Sequence, residues 1–227
     1  MKRIHEVRSQ QTLDTLTSLK QEGVEKIGLL LRHSERFFCE DARMEPFMGL
    51  TEEGKTYAVD MGKNLTVTPL PCLKSSFFGR CIETAYLIDK GFSQAHGTCL
   101  SHNCTDHTLA PFYIKEIEAA INMVDEQGSK RFLRNWFDHK IDESVMENPE
   151  TSCDRLCEFM KNEIASLAPQ TVSICISHDW NIFPIKEFKM GLTHEASGDV
   201  GYLDGLAFFE KQGQYYVTNY QTGPVLI

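Results

Sequence analysis

The sequence has little basic charge and no long hydrophobic run. Its 227 residues include 23 Lys and Arg against 32 Asp and Glu, which gives a formal net charge of -9. Broad binding to nucleic acid or to anionic membranes needs a basic face, so we expect neither partner. No run of about 18 apolar residues occurs, so no membrane-spanning helix is predicted. This exclusion does not extend to a small basic pocket within an acidic surface.

An export signal and a flexible linker are also missing from the sequence. The charged start MKRIHEVRSQQ is not followed by an apolar core, so we expect a cytoplasmic protein with reduced cysteines. Three of the eight cysteines stand at core-like positions and are predicted to pack as small hydrophobic side chains: Cys153, Cys157 and Cys175. Without a linker, residues 1–227 are predicted to form a single domain, which at this length needs no disulfide to hold its core.

One cysteine and histidine cluster is compatible with zinc. The segment CLSHNCTDH contains Cys99, His102, Cys104 and His107, which are residue types that bind Zn²⁺. Their spacing is tighter than in the usual zinc-finger patterns, because no long loop separates two ligand pairs. We therefore favour a strand end followed by a polar loop and expect no metal site, with a zinc module as the alternative.

Apolar periodicity and turn residues predict alternating helices and strands. The predicted helices cover 9–22, a segment that begins at Thr51, 81–90 with Gly91 as its stop, most of 111–167 with N-caps at Ser129 and Thr151, and about 181–190. The predicted strands are 26–31, 75–78, 98–100 and 171–177, and 206–210 pairs with 214–220 as a hairpin. This order predicts an α/β fold with a mainly parallel sheet covered on both faces, and a possible small helical cap at about 105–150.

Charged and polar side chains follow three of these strands directly. In open α/β sheets, ligands bind beyond the carboxyl ends of the strands, so the three ends are expected to meet in one crevice. The groups at these ends are Arg32, His33, Arg36, Arg80, His178 and Asp179. Guanidinium forks match phosphate oxygens in pairs, so the pattern favours a phosphate ligand over a carboxylate.

Each of these residues also has an ordinary explanation. Arg36 could form a solvated ion pair with Glu35 or Asp41, and His178 could cap the helix that follows it. These explanations would have to hold separately at three strand ends, which makes a shared site the better interpretation.

The segments around these residues resemble those of the histidine phosphatase superfamily, also called phosphoglycerate mutase-like. LLLRHSERF is similar to its opening Arg-His-Gly signature, SSFFGRCIETA to the segment with a further phosphate-binding arginine, and SHDWNI to the His-Asp signature of the acid phosphatase and phytase branch. Two further segments resemble the family in the same chain order: LTEEGKTYAVDMGKNL is similar to the helix after the first loop, and DGLAFFE to the strand after the His-Asp signature. The likeness covers about 26–90 and 171–210, and it implies a three-layer α/β/α sandwich.

The resemblance also implies a role for each matching residue. His33 matches the nucleophile, and His178 and Asp179 match the second pocket histidine and the proton donor. The residues that match phosphate-binding positions are Arg32, Arg36, Arg80 and His178. Catalysis in this family needs no metal or other cofactor.

Two features leave alternatives open. Ser34 stands where the family usually has Gly, and its hydroxyl could join the phosphate pocket. The other family branch takes its acid from a Glu after the third arginine, which Glu116 or Glu118 could supply, although we prefer Asp179.

The sequence thus predicts a metal-independent phosphomonoester hydrolase that forms a phosphohistidine on His33. The alternatives are a phosphotransferase or mutase of the same superfamily, and a catalytically weak phospho-ligand binding protein. The acidic surface and the short cap favour small, singly phosphorylated substrates.

Overall fold

The computed structural model describes residues 5–66, 72–97 and 103–227. Within these ranges, seven strands form one sheet in the order β3-β2-β4-β1-β5-β6-β7. The strands are β1 (Ile27–Arg32), β2 (Cys72–Ser75), β3 (Asn103–Thr105), β4 (Val172–Ser177), β5 (Gly205–Lys211), β6 (Gln214–Asn219) and β7 (Thr222–Leu226). The predicted strand 98–100 lies outside the described residues.

The sheet is mixed and its core is mostly parallel, so the predicted α/β fold is confirmed. Strands β3, β2, β4 and β1 are parallel neighbours, whereas β5, β6 and β7 join them through antiparallel pairings. The predicted hairpin of 206–210 and 214–220 is confirmed as β5 and β6, but β7 carried no strand signal. The parallel half holds the strand ends that the sequence analysis singled out.

Helices cover both faces of the sheet, as predicted. They are α1 (Ser9–Gln21), α2 (Glu52–Lys63), α3 (Gly79–His96), α4 (Ile117–Gln127), α5 (Ser129–Phe137), α6 (Pro149–Ser166), α7 (Asp179–Phe188) and α8 (His194–Ser197), with 3₁₀ turns at Ala42–Phe47 and His107–Leu109. Apolar residues of α1–α3 form one core with Leu29 and Leu31, and those of α4–α7 form a second core with Leu30. This alternation along β1 explains why the strand is apolar up to Leu31 and buried along its whole length.

The region 105–150, for which a small cap was predicted, contains α4 and α5. Its buried side chains, which include Tyr113, Phe132 and Trp136, belong to the same core cluster as α6 and α7. Cys153, Cys157 and Cys175 are buried with free thiols, so the prediction for these three is confirmed. No helix in the described ranges combines the length and the apolar composition that crossing a bilayer requires.

Gly91 was expected to end a helix, and this prediction was wrong. It lies inside α3, which continues to a left-handed cap at Gly97 with φ 69°. A Cβ at Gly91 would lie 2.0 Å from the carbonyl oxygen of Val59, so this glycine lets α2 and α3 approach closely. Gly91 is therefore needed for close packing between two helices and does not mark a helix end.

Three further local predictions need correction. The strand expected at 75–78 ends at Ser75, so Ser76, Phe77 and Phe78 form the turn that leads into α3. The caps expected at Ser129 and Thr151 are instead Gly128 and Asn148. The Asn148 side chain accepts hydrogen bonds from the backbone amides of Glu150 and Thr151, which satisfies the first turn of α6.

Candidate active site

Three strand ends meet in one crevice because β2, β4 and β1 are neighbours in the sheet. The backbone amide of His33 donates to Ser177 at 3.0 Å, and that of Ser76 donates to Ile176 at 2.8 Å. The amide of Arg32 donates to Asp204 at 2.8 Å. Sheet hydrogen bonds thus fix the backbone of the crevice, and the prediction that these ends converge is confirmed.

His33 is buried and held in one tautomer. Its Nδ1 lies 2.7 Å from the carbonyl oxygen of Ser34, and its Nε2 lies 3.1 Å from Nε of Arg80. A guanidinium can only donate, so Nε2 carries the lone pair and Nδ1 carries the proton. Burial lowers the pKa of His33 well below its usual value, and the charges of Arg80 and Arg32 lower it further. The imidazole is therefore neutral, with its basic nitrogen facing Arg80.

His178 follows the neighbouring strand β4, and contacts at both ring nitrogens hold its imidazole in place as well. Its Nδ1 lies 3.3 Å from a terminal nitrogen of Arg80, and its Nε2 lies 3.0 Å from Oγ of Ser76. Burial, followed by the charge of Arg80, lowers its pKa to about 3. Although His178 is the N-cap residue of α7, its side chain makes no capping bond, so the capping explanation was wrong.

Arg32 is only 2% exposed and is clamped from several sides. One terminal nitrogen donates to the carbonyl of Val200 at 2.6 Å, and the other lies 3.0 Å from a carboxylate oxygen of Asp179. The ring of Tyr202 stacks 4.5 Å from the guanidinium carbon. Among the described residues, Nε of Arg32 has no hydrogen-bond partner although it is buried.

Asp179 begins α7 and is ionised in this arrangement. Burial alone would raise its pKa, but Arg32, with His5 and His178, holds the pKa of this carboxyl below its usual value. Its second carboxylate oxygen accepts a hydrogen bond from the amide of Trp180 at 2.9 Å. Asp179 is thus the anionic partner of Arg32.

Arg36 lies at the start of a loop whose ends are joined by backbone contacts. We call residues 37–49 the entrance loop. Arg36 bridges Leu50 in an antiparallel contact, and the amide of Phe37 donates to the carbonyl of Gly49 at 3.0 Å. The guanidinium of Arg36 pairs with the carboxylate of Glu45, a partner that the sequence analysis did not name.

Ser34 does not offer its hydroxyl proton to the crevice. The side chain is fully buried, and its hydroxyl donates to the carbonyl of Gly54 at 2.7 Å, while its amide donates to Thr84 at 3.1 Å. The close packing here requires glycine at position 54, because a Cβ at Gly54 would lie only 2.0 Å from the carbonyl oxygen of Glu35. The expectation that Ser34 binds phosphate through its hydroxyl is therefore corrected.

The alternative acids, Glu116 and Glu118, and the predicted zinc ligands lie outside the contacts described for His33 and His178. Glu116 and Glu118 are exposed at the start of α4, and Glu118 pairs with Arg43 of the entrance loop. In the predicted zinc cluster, Cys99 and His102 lie outside the described residues. Within the described ranges, no group of three or more His, Cys, Asp and Glu could hold a metal ion.

Several residues of the crevice were not found from the sequence. Ser76 lies in the SSFFGR segment, but only the fold shows that it orients His178. Tyr202 reaches Arg32 from a distant part of the chain, Glu45 reaches Arg36 from nine residues along the same loop, and no local pattern marks either residue.

Comparisons with known proteins identify the fold. No protein-family model and no curated protein sequence matches the chain. Among solved structures, phosphoglycerate mutase from Bacillus anthracis str. Sterne matches 87% of this chain and 94% of its own at 17% identity, with a TM-score of 0.59. Mycobacterial glucosyl-3-phosphoglycerate phosphatase Rv2419c, in complex with VO3, matches 87% of this chain and 100% of its own at 17% identity, with a TM-score of 0.57.

A third neighbour, Bacillus stearothermophilus YhfR, covers 85% of this chain and 95% of its own at 18% identity, with a TM-score of 0.57. These structural neighbours are members of the histidine phosphatase superfamily, whereas the acid phosphatase and phytase branch is not confirmed. The chain therefore has the α/β/α fold of the phosphoglycerate mutase-like proteins.

Proposed function

We propose that this protein is a phosphomonoester hydrolase that transfers the phosphoryl group to His33 without a metal. The observation that carries this proposal is the fixed tautomer of His33. Its Nδ1 proton is held by the Ser34 carbonyl, which leaves the Nε2 lone pair next to the Arg80 guanidinium. A neutral, oriented imidazole is the form that can attack phosphorus.

The groups around His33 suit the charge of a phosphoryl group. Arg80 contacts both His33 and His178, so its guanidinium lies between the two imidazoles. Arg32 adds a second buried positive charge, with an Nε that has no hydrogen-bond partner among the described residues. Fixed positive charges of this kind stabilise the equatorial oxygens in the transition state. Arg36 was also predicted to bind phosphate, but Glu45 already pairs with its guanidinium, so this proposal gives Arg36 no contact with the phosphoryl group.

Asp179 is the proton donor in this proposal. In the first step, Nε2 of His33 forms a bond to phosphorus while the ester oxygen leaves and takes a proton from Asp179. In the second step, Asp179 accepts a proton from water as the water oxygen attacks phosphorus, which releases phosphate and restores His33. The first step needs a protonated carboxyl. A phosphate group bound at Arg32 would compete with Asp179 for this guanidinium, and its negative charge would raise the pKa of Asp179.

Glu116 and Glu118 remain the alternative donors. Asp179 is preferred because it contacts Arg32 at 3.0 Å, whereas Glu118 is exposed and pairs with Arg43.

The test is hydrolysis of an aryl phosphate from about pH 4 to 8, with and without a chelator. We expect activity that resists the chelator and falls at least about 10³-fold in His33→Ala, because the nucleophile is lost. His139→Ala is the matched control, since His139 is an exposed histidine that pairs with Glu150. Wild-type turnover by His33→Ala would refute the mechanism.

The same assay separates the alternative functions. A phosphotransferase or mutase would pass the phosphoryl group to an added hydroxyl compound in preference to water. Binding of inorganic phosphate without turnover would favour the phospho-ligand binding protein. The presence of both a mutase and a phosphatase among the structural neighbours makes the transfer reaction the second candidate.

A further inference from the structure

The guanidinium of Arg36 is already paired with a carboxylate of the protein. One terminal nitrogen contacts Oε1 of Glu45 at 3.1 Å and also donates to the carbonyl of Phe37 at 2.8 Å. The other terminal nitrogen contacts Oε2 of Glu45. This two-pronged geometry is the one that arginine forms with carboxylates and with phosphates. Glu45 therefore holds Arg36 in the way that an anionic ligand would.

Glu45 also reaches the centre of the crevice through its backbone. Its carbonyl oxygen accepts a hydrogen bond from Arg80 at 2.9 Å, and Arg80 in turn contacts Nε2 of His33 at 3.1 Å. The Glu45 and Arg36 side chains are 25% and 15% exposed, so their interaction is only partly screened by solvent. The backbone of Glu45 thus lies one guanidinium away from the proposed nucleophile, while its carboxylate is paired with Arg36.

The entrance loop that carries Glu45 exposes several large apolar side chains. The entrance loop exposes Phe37, Phe38, Met44 and Phe47, which are between 44% and 75% accessible. Phe77, which is also exposed, stacks on Phe78, and the Phe78 ring contacts both Arg80 and His178. Exposed apolar side chains that gather at the mouth of a polar crevice indicate a binding surface.

We propose that Glu45 is a specificity-determining residue, which keeps Arg36 from binding a second anionic group and restricts the site to single phosphates on uncharged, apolar alcohols. The inference rests on the proposed phosphatase function. A substrate with an additional carboxylate or phosphate would meet the Glu45 charge and would find Arg36 already neutralised. Rejection of a ligand by an unfavourable charge is a common source of specificity.

The test compares two esters that differ in one charge, phenyl phosphate and 4-carboxyphenyl phosphate, near pH 7. Glu45→Gln keeps the size of the side chain and removes its charge. The ratio of kcat/KM for 4-carboxyphenyl phosphate to that for phenyl phosphate is expected to rise at least about tenfold, because like charges in contact are strongly unfavourable. Glu40→Gln removes the same charge from an exposed position of the entrance loop and should leave this ratio unchanged.

A second substitution separates charge from shape. Adding Arg36→Gln to Glu45→Gln should cancel the gain, because the freed guanidinium is the group that would bind the carboxylate. An unchanged substrate ratio in a folded Glu45→Gln protein that turns over phenyl phosphate would overturn this inference alone. Absence of turnover with both esters in every variant, wild type included, would overturn the proposed function and the inference with it. Thermal unfolding of each variant checks that it is folded.

Discussion

The strand ends and the entrance loop surround the same crevice, but different forces hold them. At the strand ends, sheet hydrogen bonds fix the backbone of His33 and Ser76, and buried contacts fix the side chains of Arg32 and His178. The entrance loop is tied at its two ends by backbone contacts, and polar contacts of Glu45 and Arg43 hold its middle. The strand ends are thus suited to chemistry, which needs fixed geometry, and the loop to selection among substrates.

The largest expected effect tests whether the strand ends hold the proton donor. Asp179→Asn removes the proton while keeping the shape of the side chain. It should slow alkyl phosphates by about 10³-fold and aryl phosphates much less, because only a poor leaving group needs a proton in the transition state. Steady-state kcat/KM for both classes gives the measurement.

Two controls accompany this substitution. Glu118→Gln tests the alternative donor and should affect both substrate classes alike. Equal losses for alkyl and aryl phosphates in Asp179→Asn would move the acid role away from the strand ends.

The next largest effect is on stability and tests the contact between Gly54 of α2 and Glu35, which precedes the entrance loop. In Gly54→Ala, the added Cβ would meet the backbone oxygen of Glu35 at 2.0 Å, so α2 must move away from the loop start. We expect a loss of at least about 3 kcal/mol in the free energy of unfolding, measured with urea. Gly49→Ala is the matched control, because a Cβ at Gly49 meets nothing within 4 Å. Similar stability of the two variants would show that α2 and the backbone at Glu35 can move apart at little cost.

The smallest expected effect concerns pH and the buried histidine of the strand ends. The pKa of His178 is lowered to about 3, so below about pH 6.5 the unfolded chain binds a proton that the folded chain does not. Stability should therefore fall as the pH falls through this window. His178 accounts for about 2 kcal/mol of this loss between pH 7.5 and 5.

Urea unfolding at the two pH values measures this term. His178→Gln should lose about 2 kcal/mol less than the wild type on acidification. The exposed His139 provides the control, since His139→Gln should lose as much as the wild type. Equal acid sensitivity in all three proteins would show that His178 is not buried as a neutral imidazole.

The sequence predicted the features that depend on short segments. Continuous apolar runs marked β1 and β4, and the polar residues that follow them marked the crevice. Glycine was ambiguous, since Gly91 serves a helix crossing and Gly97 ends the helix. The pairings of Arg36 with Glu45 and of Arg32 with Tyr202 join residues whose proximity is set by the fold, so no spacing rule could find them. The strand order, which brings the site together, was equally beyond local patterns.

The closed base of the entrance loop has a practical consequence. Arg36 bridges Leu50, and the amide of Thr51 donates to Glu35 at 3.1 Å, so the chain enters and leaves the loop at neighbouring points. A segment with adjoining ends can be exchanged for one of different length at little entropic cost, since closure entropy grows slowly with length. Residues 37–49 can therefore be replaced as a unit. Libraries of substitutions or grafted loops would change the substrate choice, while sheet hydrogen bonds keep the backbone of His33 and Ser76 in place.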